Sequence, residues 1–178
     1  MSSDPNSFES GDRKVIPAVL IYVLKDDRVL MIHRNGNRAG REDFHSGKWN
    51  GLGGKLEVGE SALEAAKREL LEESGLNLSE ERFQSQGVIH FPQFKPHKNE
   101  DWMVFLFTAT CQEDEISQIR PECEEGSLHW VLTSDVRELN LWSGDRLFID
   151  EVLAQRPLTG TIWYREGQVE RSWIQKLR

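Results

Sequence analysis

At 178 residues, with 38% hydrophobic and 29% charged side chains, the chain has the size and composition of one compact domain with a core of its own. A net charge of −8 and a pI near 5.2 argue against a protein that coats nucleic acid, and no apolar run approaches a membrane span. Cys111 and Cys123 are too few for a disulfide framework and lack zinc-site spacing; nothing near the start resembles a secretion signal, so a cytoplasmic location is expected.

Residues 1–12 (MSSDPNSFESGD) are polar and turn-rich and are expected to form a mobile tail, leaving 13–178 as the folded domain. Residues 15–24 read as a buried strand, with 28–33 as its partner across Lys25, Asp26 and Asp27. A loop over 35–48, rich in glycine, asparagine and charge, leads into Trp49-Asn50-Gly51-Leu52-Gly53-Gly54. A helix is expected from about residue 61 to 74. Leu63, Ala66 and Leu70 give it an apolar stripe, Ser61 with Glu64 reads as a capping box, and Gly75 suits the left-handed position that ends it. Beyond it, residues 87–94, 102–111 and 128–132 read as strands, and 92–101 and 112–126 as charged loops at the rim of a site. A second helix over 144–154 and a hairpin around Glu166-Gly167 (161–165 with 168–173) close the chain. Mixed strands with two helices predict an α/β or α+β sandwich.

The first helix carries the chemistry. At 100° per residue, Glu72 and Glu73 lie within about 60° of Glu69, one on either side. Crowded carboxylates repel one another unless a cation sits between them, and hard divalent ions such as Mg²⁺ take oxygen ligands of this kind.

The order Gly54, Glu60, Arg68-Glu69-Leu70, Glu72-Glu73, Gly75-Leu76 resembles the signature of Nudix hydrolases at every defined position. The resemblance implies the Nudix fold, a mixed central β-sheet sandwiched between helices. It also implies Mg²⁺-dependent attack of water on a phosphorus of a substituted nucleoside diphosphate, with Mn²⁺ as a possible substitute. Carried onto this chain, it makes Glu69 and Glu73 direct metal ligands and the Gly53 carbonyl a further one. Glu72 becomes either a ligand or the group that deprotonates the water. Arg68 and Glu60 are expected to pair and fix the loop before the helix; Lys55 meets a phosphate or is an ordinary surface lysine. A further carboxylate, as ligand or base, is expected from beyond the helix, with Glu125 favoured and Glu124 as its substitute.

Residues 49–55 and Leu141-Trp142-Ser143-Gly144-Asp145 resemble segments of the oxidised-purine nucleoside triphosphatases of the MutT type. By that resemblance Trp142 stacks on a purine, Asp145 and Asn50 bond its edge, and Phe91 or Phe94 forms the opposite wall. Gly144 departs from the pattern, standing where such enzymes carry the first of two acids. The plainer readings are Asp145 as a helix cap and Trp142 as a core aromatic. His33 and His45 are candidates for the phosphate side, whereas His90, His97 and His129 read as ordinary strand or loop residues.

The expected activity is hydrolysis of (oxidised) purine nucleoside triphosphates such as 8-oxo-dGTP to the monophosphate and pyrophosphate. The alternatives are a Nudix hydrolase of nucleoside diphosphate sugars, ADP-ribose or dinucleoside polyphosphates and, remotely, a non-catalytic nucleotide sensor. The expected partner is a small nucleotide, with no nucleic-acid polymer and no membrane, and the chain a monomer or homodimer.

Overall fold

The computed structural model describes residues 13–35, 37–38, 41–42 and 47–178; the tail expected over 1–12 and the candidate His45 lie outside these. The chain runs through β1 (Lys14–Lys25), β2 (Arg28–Arg34), β3 (Asn37–Arg38), β4 (Arg41–Glu42), β5 (Trp49–Asn50) and α1 (Ala62–Ser74). It continues with β6 (Phe83–Lys95), β7 (Glu100–Thr110), β8 (Glu122–Cys123), β9 (Gly126–Leu132), α2 (Ile149–Leu153), β10 (Leu158–Arg165) and β11 (Gln168–Lys176). One mixed sheet has the order β11-β10-β6-β7-β1-β2-β9-β8, with β5 added beside β2. β1 pairs with β7 in parallel and β10 with β6 in parallel; the remaining ladders are antiparallel.

Strand alternation divides the core between the two faces. Val19, Ile21 and Val23 of β1 pack with Ala65, Ala66 and Leu70 of α1. Leu20, Tyr22 and Leu24, one residue out of phase, pack on the opposite face with Ile149 and Val152 of α2. The sheet is thereby sandwiched between helices, the mixed α/β Nudix architecture expected from the sequence. No helix among the described residues is long and apolar enough to cross a membrane.

Three elements differ from expectation. The second helix is not continuous over 144–154: a 3₁₀ turn at Asp145–Leu147 is followed by α2, and Phe148 between them leaves helical geometry at φ −128° and ψ −17°. The Phe148 side chain is 1% exposed, so its place in the core decides the break. Strand β6, expected over 87–94, runs from Phe83 through a bulge to Lys95, and β7 begins at Glu100, so most of the loop expected over 92–101 is strand. The Gln93 N–H, turned off the ladder at φ 50°, donates instead to the Asp101 carboxylate at 2.9 Å. Residues 112–126 are not an open loop: they hold a 3₁₀ turn at Glu113–Gln118 and the short β8–β9 hairpin.

Candidate active site

Helix α1 is fixed at both ends by its own sequence. The Ser61 hydroxyl accepts from the Glu64 N–H at 3.2 Å and the Glu64 carboxylate accepts from the Ser61 N–H at 2.8 Å. Gly75 closes the helix in the left-handed conformation at φ 84°, its N–H donating to the Leu71 carbonyl. The preceding segment is pinned to β1 by the Val19 N–H on the Gly54 carbonyl (2.8 Å) and the Ile21 N–H on the Leu52 carbonyl (2.7 Å).

That docking sets the acidic side chains apart from one another. Glu73 follows Ala66 and Leu70 on the buried stripe and is 7% exposed; it accepts the Gly53 N–H at 2.8 Å. Burial is the main force pushing its carboxyl up to about 8, helped by the charges of Glu125 and Glu69 and opposed by the Gly53 N–H. Glu69 is also shifted upward, by burial and then by Glu72 and Glu125, with Arg68 opposing. Its carboxylate fills the space left by Gly54, where a Cβ would lie 2.3 Å from Glu69 Oε1. Glu72 points outward, with its side chain 58% exposed.

Arg68 ties the loop to the helix. It donates from Nε and Nη2 to the two Glu60 oxygens, at 2.9 Å each, and from Nη2 to the Lys55 carbonyl at 3.0 Å. Nη1 reaches Glu69 at 2.9 Å and Glu72 at 3.3 Å. The Arg68 guanidinium, and then the Glu57 N–H, hold Glu60 below the usual carboxylate range. Across the cleft, Glu125 in the β8–β9 turn pairs with Arg34 at the end of β2.

A cavity of about 910 Å³ opens beside these groups. Its lining includes Gly53, Gly54, Glu69, Glu125, Arg34 and Arg68, which the Arg68–Glu69 and Arg34–Glu125 pairs tie together. The lining also includes Asn50, Trp142, Asp145 and the ring cluster of Phe91, Phe94 and Tyr164. Asp145 is 7% exposed, and its Oδ2 meets no hydrogen-bond partner among the described residues. Burial raises its carboxyl to about 7 against the pull of Lys48. The carboxylate caps neither the 3₁₀ turn nor α2, which removes the plainer reading of this residue. The Lys48 ammonium lies 5.2 Å from the Trp142 ring centroid. Lys55 and Lys95, which also line the cavity, both face the Trp102 ring, at 5.4 Å and 4.7 Å.

Of the sequence candidates, Gly53, Gly54, Lys55, Arg68, Glu69, Glu125, Asn50, Phe91, Trp142 and Asp145 share this one cavity. Glu73 sits just beneath its wall through the Gly53 bond, Glu60 is held by Arg68, Gly75 caps α1, and Glu72 faces out. His33 does not line the phosphate side but packs against Trp49 with centroids 4.7 Å apart. Arg34, Lys95, Trp102 and Tyr164 also line the cavity and carry no local signal in the sequence.

The donor set is uniformly hard oxygen: the Glu69, Glu73 and Glu125 carboxylates and the Gly53 carbonyl, which meets no donor among the described residues. Such a set fits Mg²⁺ or Mn²⁺ and not a soft metal. No group of three acidic, histidine or cysteine side chains among the described residues is already gathered as a metal cluster. Each carboxylate is instead held by a guanidinium or a backbone N–H.

Comparison with known proteins bears on the family and the fold. A NUDIX domain model matches residues 14–152. The chain is similar to the oxidized purine nucleoside triphosphate hydrolase of Mus musculus, 30% identical over 147 residues, 83% of this chain and 85% of that protein. It is similar also to the uncharacterized Nudix hydrolase YvcI of Bacillus subtilis, 32% identical over 141 residues, 78% of this chain and 80% of that one. The crystal structure of a MutT protein from Bacillus halodurans matches with a TM-score of 0.75 and 29% identity, covering 90% of this chain and 97% of that one.

Proposed function

Because the chain belongs to the Nudix family of nucleotide pyrophosphohydrolases, we propose that it hydrolyses purine nucleoside triphosphates, including oxidised forms such as 8-oxo-dGTP, to the monophosphate and pyrophosphate. The observation that carries this reading is the mixed lining of one cavity, which brings acidic and guanidinium groups together with an indole, an amide and a buried carboxyl. The named activity of the mouse relative supports the same substrate class.

Family membership implies a divalent metal, and Glu69, Glu73 and the Gly53 carbonyl would hold it with Glu125 opposite. When bound, the ion neutralises phosphate oxygens and lowers the pKa of water. The chain's own groups do the rest. Arg34 and Lys55 bind phosphate oxygens, and Arg68 holds Glu69 in place. The Glu125 carboxylate, which faces the cavity where Glu72 does not, orients the attacking water and takes its proton. Trp142 stacks on the base while Asn50 and Asp145 meet its edge; the aromatic wall of Phe91 and Phe94 excludes water.

The test is a screen of pyrophosphate and phosphate release with Mg²⁺ across oxidised and normal nucleoside triphosphates, ADP-ribose and sugar nucleotides. Pyrophosphate released chiefly from purine triphosphates supports the reading. Turnover confined to ADP-ribose or sugar nucleotides would replace it with the diphosphate-sugar alternative.

A further inference from the structure

We propose that Tyr164 is a specificity-determining residue of the base pocket, its phenol hydroxyl occupying the space that a side chain at position 144 would fill and selecting purines with a 6-oxo edge. The inference rests on the reading of this cavity end as a purine site.

The backbone does not demand glycine at position 144: φ −70° and ψ −37° suit any L-residue. Space does. A Cβ there would lie 2.3 Å from Tyr164 Oη and 3.1 Å from Cζ. The glycine that removes an expected acid is therefore the residue that admits the phenol. The Gly144 N–H donates to Tyr164 Oη at 2.7 Å, which fixes the oxygen. The ring is held by Phe91 and Phe94, at centroid distances of 6.2 Å and 5.7 Å.

A phenol oxygen carries one hydrogen and accepts through its lone pairs. Gly144 takes one acceptor position on the phenol oxygen, and the neighbouring Ser143 hydroxyl lies within hydrogen-bonding reach of the same oxygen. Burial, and then the Asp145 charge, raise the phenol above its ordinary pKa, so it stays a donor throughout the neutral range. Tyr164 and Asp145 line the same end of the cavity. This end thus offers one carboxyl and one phenol hydroxyl rather than two carboxyls. An ionised Asp145 accepts from a ring N–H while Tyr164 donates to the neighbouring carbonyl oxygen. A 6-aminopurine presents an N–H₂ donor at that place and leaves the phenol hydrogen unmatched.

The experiment measures kcat and KM for 6-oxopurine and 6-aminopurine nucleoside triphosphates in the wild type, Tyr164→Phe, Gly144→Ala and the double variant, with melting temperatures for each. Tyr164→Phe is expected to raise KM for the 6-oxopurine about tenfold and for the 6-aminopurine less than about twofold, the change falling on KM rather than kcat. Gly144→Ala displaces the ring and is expected to reproduce that pattern, with the double variant no worse than Gly144→Ala alone. Equal KM changes for both purine classes, or none, would overturn the inference. Trp142→Ala and Asp145→Asn separate the two levels. If they alter base preference while Tyr164→Phe does not, only the role of Tyr164 falls; if they also leave it untouched, the purine reading itself fails.

Discussion

The backbone N–H of Gly53 donates to the Glu73 carboxylate at 2.8 Å, joining the segment before α1 to the helix at the edge of the cavity. Through this bond a residue on the buried stripe of α1 remains within electrostatic reach of Glu69 and Glu125, both of which raise its pKa. The same packing that anchors the helix therefore holds a buried carboxyl at the edge of the cavity.

Gly54→Ala should leave the fold standing and disable the site. The new Cβ would meet the end of the Glu69 side chain, 2.3 Å from Oε1, and not backbone. Turnover should fall at least about tenfold while the melting temperature moves by no more than a few degrees. Steady-state kinetics beside a thermal melt decide it, and unchanged kcat would show that the Glu69 position is immaterial.

Arg68→Ala should act chiefly on stability. Its guanidinium satisfies Glu60, the Lys55 carbonyl and Glu69, so removal leaves these oxygens without that partner and should lower the denaturation midpoint. Arg68→Lys should restore only part, since a lysine cannot bond Glu60 through two nitrogens. Urea denaturation of the two variants measures the difference.

Asp145 should make stability fall with rising pH. Its pKa rises from 3.8 to about 7 in the fold, so between those values the folded chain binds a proton that the unfolded chain has released. The contribution is intact below about pH 4, declines up to about pH 7, and is wholly lost above. Asp145→Asn should therefore gain on the wild type as pH rises from 4 to 8, by an amount on the order of 3 kcal/mol. Denaturant midpoints at several pH values test the sign; a gap that narrows with pH would contradict it.

Trp142→Ala should raise KM for purine triphosphates several-fold while moving KM for pyrimidine triphosphates much less, because stacking scales with ring area. An equal rise for both classes, read from parallel KM measurements, would count against stacking.

What could be read in the sequence was what is local. Ser61, Glu64 and Gly75 punctuate α1 through bonds to near neighbours, and the Arg68–Glu60 pair lies on one such short connection. What could not be read depends on distant partners. The bulge that carries β6 through the loop expected over 92–101 has Asp101 receiving the Gln93 N–H, and the last helix breaks where Phe148 is buried in the core. Arg34 reaches Glu125 across the β2–β9 ladder, and Tyr164 reaches Gly144 from a strand laid in parallel beside β6. Spacing placed Glu72 and Glu73 alike beside Glu69; only docking of Ala66 and Leu70 sends one inward and the other to solvent.

The central claim is that the inward acids of α1 grip magnesium beneath a nucleotide's phosphates, and Glu73→Gln addresses it most directly. Glutamine retains an oxygen for the Gly53 N–H and removes only the charge. At saturating Mg²⁺ and purine triphosphate, pyrophosphate release should drop at least about a hundredfold with the circular dichroism spectrum unchanged. A folded variant that turns over at the wild-type rate would contradict the account.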